Sequence, residues 1–294
     1  MATFQQVPSN YTQLPAVTRT ALPADDGATF DRPLPDRVNG RLDLVLTTLD
    51  PLHIGSGGGG IAATQQGDAL AHGIIAHERS KEHPDGMPVI PGASIKGVLR
   101  SHLEAMLGGC DMEPQPCGAC PTCSLLGFIA GDRQQMGRLG VADGRLLRQA
   151  DADNIGLLLV PRPYGPRRQT GRRVYGPRVD VRNQVPYIVV LQGVTFQTSL
   201  ALVNVRREEL GAALLALGAD GSFCPRLGGG KFAGLGRVRT RVERAVLRGD
   251  YRRPSLRRLS GPELTAEVGS WIESAGLSSE GWRALDTLRK VMRP

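Results

Sequence analysis

The sequence predicts an α+β fold in which strands and helices of one chain pack on a common core. Apolar and β-branched residues predict strands near 42–48 and 187–203. A short apolar run ending at Ile90 meets Pro-Gly, and apolar residues at helical spacing follow it to Leu107. This pattern indicates a strand that turns sharply into a helix. A second helix is expected over 207–217, and 294 residues suffice to bury a core without disulfides.

The balance of charge favours a polyanionic partner. Lysine and arginine number 36 against 28 acidic residues, which gives a net charge of +8 and a pI near 9.6. No apolar stretch is long enough for a membrane span, and the N-terminus lacks a basic region followed by an apolar one. We therefore expect no membrane partner and a cytoplasmic location.

Changes in composition divide the chain into an arm, a core and a tail. The polar, aperiodic residues 1–39 predict an extended arm, and 248–294 predict a tail with helices near 264–273 and 280–292. The core is expected over 40–247, with a hairpin excursion at 61–87, a cysteine-rich insertion at 108–127 and a basic segment at 162–183.

The strand-to-helix junction is a candidate phosphate site. Ser94 stands where a helix N-cap is expected, and Lys96 and Arg100 add charge to the first turns. The unpaired N–H groups and the positive end of the helix dipole both favour an anion there. The alternative is an ordinary helix start with two solvated cations.

Two glycine-rich stretches add to this chemistry. The run from Gly228 to Gly236 precedes a strand and is flanked by Arg226, Lys231 and Arg237, so a sugar–phosphate chain can lie against its backbone. It is not a Walker loop, because no Ser or Thr follows the lysine. The earlier stretch over 52–60 allows close backbone approach, with a flexible loop as the alternative.

The basic segment is typical of single-stranded nucleic-acid binding. It contains one acid, Asp180, with Tyr164 and Tyr175 interleaved. Its arginines are Arg162, Arg167, Arg168, Arg172, Arg173, Arg178 and Arg182. Guanidinium groups bind phosphates and tyrosines stack on bases, which favours nucleic acid over a solvated loop.

Four closely spaced cysteines predict a structural zinc site. Cys110, Cys117, Cys120 and Cys123 supply four thiolates, and intervening Pro and Gly residues allow the tight turns. Disulfides are the competing interpretation, which a reducing compartment disfavours, and an iron–sulfur cluster stays open. Cys224 is expected to be a buried thiol.

All five histidines fall between positions 53 and 102. Such crowding suggests a metal or acid–base site, although no pair has the spacing of a helical His-Glu-x-x-His motif. A stand-alone metal-dependent nuclease or phosphoesterase that uses these histidines is therefore the alternative function.

Three motifs in order give a family resemblance: Leu52-His53-Ile54-Gly55-Ser56-Gly57, Ile90-Pro91-Gly92-Ala93-Ser94-Ile95-Lys96-Gly97, and Gly228 to Gly236. Together they resemble the repeat-associated (RAMP) superfamily of type III CRISPR effector complexes, most closely its backbone subunits. The resemblance implies a ferredoxin-like, RNA-recognition-type core with a projecting thumb hairpin. It also implies a zinc-binding insertion at the cysteine cluster.

The resemblance also implies the partners and contact residues. Ser94, Lys96 and Arg100 would hold guide-RNA phosphates, and the first motif at His53 and the loop at Gly229, Gly230 and Lys231 would line the same path. Target RNA, other effector subunits and further copies of this chain would be the remaining partners.

Members of this family that cut target RNA use a metal-dependent aspartate at the start of the thumb. Counting back from the second motif places His72 at that position, whereas Asp68 is the only carboxylate between Gly57 and Ala76. Asp68 and His72 are thus the candidate catalytic residues, with Mg²⁺ or Mn²⁺ as the cofactor for RNA cleavage.

Overall fold

The computed structural model describes most of the chain. The described residues are 11–17, 22, 30–55, 59–64, 67–72, 77–79, 81, 86–110, 116–161, 173–175 and 184–294. The strands, numbered in chain order, are β1 (Tyr11–Gln13), β2 (Val38–Thr48), β3 (Gly59–Thr64), β4 (Gly67–His72), β5 (His77–Glu78), β6 (Met87–Ile90), β7 (Gly127–Ala130), β8 (Arg133–Met136), β9 (Leu139–Val141), β10 (Gly144–Leu146), β11 (Ile155–Pro161), β12 (Arg173–Tyr175), β13 (Gln184–Val190), β14 (Thr195–Val205), β15 (Val238–Arg248) and β16 (Leu256–Leu259). The helices are α1 (Gly92–Leu107), α2 (Pro121–Leu126), α3 (Arg207–Ala216), α4 (Gly261–Glu273) and α5 (Ser279–Val291), with short 3-10 turns at Gln149–Asp151 and Lys231–Ala233.

An antiparallel sheet forms the centre of the described structure. Its strands run in the order β16-β15-β2-β14-β10-β6-β5, and β9 also pairs with β14. Alternating residues of β2 and β14 face the core, with Leu46 opposite Phe196 and Leu42 opposite Leu200. The predicted strands near 42–48 and 187–203 are therefore confirmed, the latter as β13 and β14, and the fold is mixed α and β as expected.

Helices α1 and α3 cover the core side of this sheet. Ile95, Leu99 and Leu103 of α1 and Leu210 and Leu214 of α3 are fully buried in one cluster with the sheet. Apolar residues at helical spacing explain why these segments form helices on that surface. The strand-to-helix prediction is confirmed by β6 and α1.

The tail adds a further helical layer. Helix α4 packs against α3, and α5 packs against α1. The helix predicted over 207–217 is confirmed as α3, and it is buried over Glu209–Ala216 because α4 covers its outer side.

A second sheet lies beside the first and has the order β11-β13-β4-β3. Strands β3 and β4 form an antiparallel hairpin, and His72 of β4 pairs with Tyr187 of the parallel strand β13. The described part of this hairpin begins two residues before the predicted 61–87 excursion. Leu52, which follows β2, forms an antiparallel bridge with Val190 at the end of β13. This bridge connects the second sheet to the segment after β2.

None of the helices in the described ranges is both long and apolar enough to cross a membrane.

Candidate functional site

The three sequence motifs line one cavity of about 440 Å³. The first motif contributes Ile54 and Gly55, α1 contributes Ser94 and Gly97, and the glycine-rich loop contributes Gly228, Gly229 and Lys231. Leu14 of the arm and Met292, just after α5, also line it. The fold thus brings together segments that are more than a hundred residues apart in the sequence.

Backbone hydrogen bonds join the first motif to the glycine-rich loop. The Gly229 N–H donates to the His53 carbonyl at 2.8 Å, and the Gly236 N–H donates to the Pro51 carbonyl at 2.9 Å. Gly228 has φ +74°, and a Cβ there would lie 2.0 Å from the His53 carbonyl oxygen. Only glycine fits this position, which explains the glycine-rich sequence of the loop.

Two arginines that flank the loop hold it in place. Arg226 is 6% exposed, and its Nη1 donates to Asp50 Oδ2 at 3.0 Å and to the Leu235 carbonyl at 3.1 Å. Arg237 Nε lies 3.2 Å from the same carboxylate oxygen. Both guanidinium groups pair with the one Asp50 carboxylate, and Arg226 lines the cavity together with the loop backbone and Lys231.

The start of α1 differs from the predicted helix start. The helix begins at Gly92 with Pro91 as the N-cap, and the Ser94 side chain makes no capping hydrogen bond. The Gly92 N–H donates to Asp143 Oδ1 at 2.6 Å. The predicted Ser94 N-cap was therefore wrong, and a carboxylate of the protein already lies at this helix end.

Helix α1 presents small residues to the cavity. Ser94, Gly97 and Ser101 line it, whereas Lys96 and Arg100 do not. Arg100 Nη2 donates to the Gly127 carbonyl at 2.6 Å, and its Nη1 lies 3.6 Å from Glu104. Gly97 has open space where a Cβ would be, so a ligand can approach the helix backbone closely. The prediction missed Gly97 and Ser101, although their spacing marks one helix face.

Lys96 is partly buried, and desolvation, followed by the Arg100 charge, lowers the pKa of its ammonium group. Contact of Lys96 and Arg100 with a ligand stays a prediction.

Lys231 and His102 give the cavity its polar character. Burial lowers the pKa of Lys231, and no acid pairs with it among the described side chains. His102, 8% exposed, also lines the cavity, and its Nδ1 lies 2.7 Å from the Ala216 carbonyl. Burial lowers the pKa of His102 to about 4, so the imidazole is neutral at physiological pH. Sequence reasoning did not distinguish His102 from the other histidines.

His53 lies behind the glycine-rich loop. His53 is buried, and its Nδ1 donates to the Ile188 carbonyl at 2.8 Å. Its ring forms a T-shaped contact with the Tyr187 ring, with the two ring centroids 4.6 Å apart. A Cβ on Gly229 would lie 3.0 Å from this ring. The geometry gives His53 a part in joining the loop to the second sheet, and its contact with a ligand stays a prediction.

Several predicted residues lie at the limits of the described structure. Asp68 and His72 both belong to β4, whose backbone alone is described. Four residues of extended chain separate them by roughly 13 Å. Arg173 begins β12, which pairs with β1 of the arm. Four further arginines lie outside the described residues: Arg167, Arg168, Arg172 and Arg178.

The four clustered cysteines form a second candidate site. One Sγ atom from each of Cys110, Cys117, Cys120 and Cys123 lies within 4.8 Å of the others, and Cys110 and Cys123 are 3.6 Å apart. Helix α1 ends at Leu107, shortly before Cys110, and Cys120 caps α2, which carries Cys123. Among the described side chains, this is the only group placed closely enough to hold a metal ion.

The surroundings of these sulfurs suit thiolate ligands. Backbone N–H groups donate to two of them, from Cys123 to Cys120 at 3.3 Å and from Ala119 to Cys117 at 3.4 Å. The hydrogen bond between the Cys120 and Cys123 side chains lowers the pKa of Cys120 to about 4 despite burial. The same hydrogen bond, together with burial, raises the pKa of Cys123. A metal ion would replace the thiol proton between them. Four sulfur ligands leave no open position, so the site is suited to structure rather than to catalysis.

A buried ion pair links the cysteine region to α3. Arg138 donates to both carboxylate oxygens of Glu209 at 2.6 and 2.8 Å, and to Ser124 Oγ in α2 at 3.2 Å. Arg206 Nη2 also donates to Glu209, at 2.9 Å. The cysteine region is therefore anchored to the helical layer that forms one wall of the core.

Comparison with known proteins adds one match. The family model of the RAMP superfamily matches residues 45–239, about two thirds of the chain. The matched region contains all three motifs and every residue of the cysteine cluster. No curated protein matches the chain.

Proposed function

Since the chain belongs to the RAMP superfamily and is thus a CRISPR-associated RNA-binding subunit, we propose that it holds the guide RNA of a type III effector complex. Proteins of this family bind CRISPR RNA and other effector subunits. Guide RNA, target RNA, sister subunits and further copies of this chain are the proposed partners.

The convergence of the three motifs on one cavity is the observation that carries this proposal. Lys231 offers a cation without a described acidic partner, and Ser94 and Ser101 offer hydroxyl groups beside an open helix backbone. A phosphate of an RNA backbone fits such a set of donors. The net charge of +8 favours the same class of partner.

The order of strands supports a ferredoxin-like core. Strands β15, β2 and β14 lie side by side, β9 and β10 follow on the far side of β14, and α1 and α3 share one surface. We propose that these elements form the β-α-β-β-α-β arrangement, with β3 and β4 as the thumb hairpin. We propose an arm over 1–39, this core over 40–247 and a helical tail over 248–294.

The basic segment over 162–183 is proposed to extend the RNA path. It follows β11 and precedes β13, in the sheet that also contains the hairpin. Its arginines at 167, 168, 172, 173 and 178 can each bind a phosphate.

Target-RNA cleavage would depend on Asp68 or His72. Since roughly 13 Å of extended strand separates them, one divalent cation can contact only one of the pair. In a cleavage assay of the guide-loaded complex with Mg²⁺ or Mn²⁺, loss of cutting in Asp68→Ala with intact target binding would assign the cation to Asp68. Unchanged cutting in both Asp68→Ala and His72→Ala would leave this chain as a scaffold.

A stand-alone histidine nuclease has no support in the described structure. The His102 imidazole is neutral and donates a hydrogen bond to the Ala216 carbonyl. The histidines whose side chains are described form no group that could hold a metal ion. RNA hydrolysis by the isolated chain without guide would contradict this conclusion.

The proposed guide site is tested by Lys231→Ala, with Lys290→Ala as the control. Lys290 is exposed near the end of α5 and does not line the cavity. Lys231→Ala should weaken guide binding for any RNA sequence and reduce the slope of log K against log[salt] by about 0.7. Equal affinity and equal slope in the two variants would overturn the assignment.

A further inference from the structure

The imidazole of His102 has one ring nitrogen available to a ligand. A carbonyl oxygen can only accept, so the 2.7 Å contact with Ala216 requires that Nδ1 carry the proton. The ring is neutral, and Nε2 is therefore an acceptor. Nε2 makes no hydrogen bond among the described residues, although the side chain is more than nine-tenths buried in the cavity wall.

An acceptor in this place does not suit a phosphate. A phosphate diester has no hydrogen to donate, so the lone pair of Nε2 would face another lone pair. Nε2 needs an O–H or N–H group, and a nucleic acid offers these at the ribose 2′-hydroxyl and on the bases.

The ribose 2′-hydroxyl and the bases, the two sources of a hydrogen-bond donor, differ in whether they depend on the guide sequence. A base donor changes with the guide sequence, whereas every ribonucleotide has a 2′-hydroxyl. The cavity also brings a cation close to this acceptor, because the charge of Lys231 acts on the imidazole of His102. Lys231 and His102 are thus placed to contact a phosphate and a sugar of the same strand.

Building on the proposed guide site, we propose that His102 Nε2 accepts a hydrogen bond from a ribose 2′-hydroxyl, which makes the cavity selective for RNA over DNA. His102 then determines specificity and carries no part of any cleavage chemistry. The open space at Gly97 lets the sugar approach the helix on which His102 lies.

The experiment compares the binding of three labelled oligonucleotides of one sequence and of guide length to the full chain: RNA, DNA and 2′-O-methyl RNA. The last has no hydroxyl proton at the 2′ position. The wild-type chain should bind RNA about five- to tenfold more tightly than either of the others, the loss expected for one hydrogen bond. Equal binding of RNA and 2′-O-methyl RNA would contradict the proposal without any variant.

Two substitutions separate the ring nitrogens. His102→Asn places an amide where Nδ1 was, so it keeps a donor to Ala216 but has no acceptor at the position of Nε2. His102→Gln places an amide oxygen near Nε2. We expect the preference for RNA to disappear in His102→Asn and to persist in His102→Gln, with thermal melting as the check on folding.

The outcomes distinguish the two proposals. If Lys231→Ala has wild-type affinity for RNA, the guide site itself is wrong. If Lys231→Ala weakens binding but His102→Asn still prefers RNA by the wild-type ratio, the guide site stands and the role of His102 is overturned.

Discussion

The Glu209 carboxylate lies between two arginines, where it joins three parts of the chain. It is 1% exposed and accepts hydrogen bonds from Arg138 and Arg206. Burial opposes ionisation of Glu209, but its arginine partners outweigh burial and lower the pKa of the carboxyl group. A charge held in this way is costly to leave unpaired.

Glu209→Gln should reduce the free energy of unfolding by about 3–5 kcal/mol, because Arg138 would remain buried without a counter-ion. Urea denaturation measures this loss. Glu208→Gln is the control, since Glu208 is exposed in the same turn of α3 and should change stability by less than about 0.5 kcal/mol. Similar losses in both variants would contradict this account.

His102 should make the fold sensitive to mild acid. Its pKa is about 4 when folded and 6.5 in its ordinary state, so the unfolded chain binds the proton more readily. The stabilisation is complete above pH 6.5 and is lost as the pH falls toward 4, by about 3 kcal/mol in total. Unfolding measured across this window should be less pH-dependent in His102→Gln than in the wild type. Parallel curves for the two proteins would show that the imidazole does not titrate in this way.

Among structural elements, the glycine-rich loop and α1 both line the cavity, and we expect them to respond differently to an added methyl group. Gly228 needs its left-handed backbone and its contact with His53, whereas Gly97 lies in a regular helix turn and faces open space. The same chemical change is thus expected to affect folding at one position and binding at the other.

A left-handed backbone costs a non-glycine residue about 1–2 kcal/mol. Gly228→Ala should reduce the free energy of unfolding by more than this, because the added Cβ would also collide with the His53 carbonyl oxygen. Gly97→Ala should stabilise it by about 0.5–1 kcal/mol yet weaken RNA binding, since the methyl group enters the cavity. Thermal unfolding and RNA titration of both variants check this pair. Unchanged RNA affinity in Gly97→Ala would contradict the proposed path along α1.

The cysteine region is expected to bind structural zinc. Metal analysis should give about one zinc per chain. Cys120→Ser should lose the metal and several kcal/mol of stability, because metal binding at such a site is folding energy. Cys224→Ser should keep its zinc, since Cys224 is buried but is not one of the four clustered cysteines. A brown chromophore, or no metal in the wild type, would contradict the zinc assignment.

At the scale of the whole molecule, the sequence predicts the elements better than the orientation of their side chains. Hydrophobic spacing was enough to predict β2, α1 and α3, and the cysteine spacing was enough to predict a cluster that could hold a metal ion. Which residues of α1 line the cavity depends on packing against distant parts of the chain. Arg100 contacts Gly127 and not the cavity for this reason.

The same limit applies to charged residues. Arg226 and Arg237 look like ligands for a polyanion in the sequence, but Asp50, far away in the chain, pairs with both. Local pattern also gave no sign that α4 would bury α3, because that contact is made by the tail. Long-range partners decide which cations are available for binding.

Ultraviolet crosslinking of the copurified guide RNA, followed by mass spectrometry of the crosslinked peptides, tests the central claim most directly. If the three motifs form the guide site, crosslinks should fall within 52–55, 94–102 and 228–231, and they should diminish together in Lys231→Ala. Crosslinks confined to other surfaces of the chain, with none in these segments, would contradict the account.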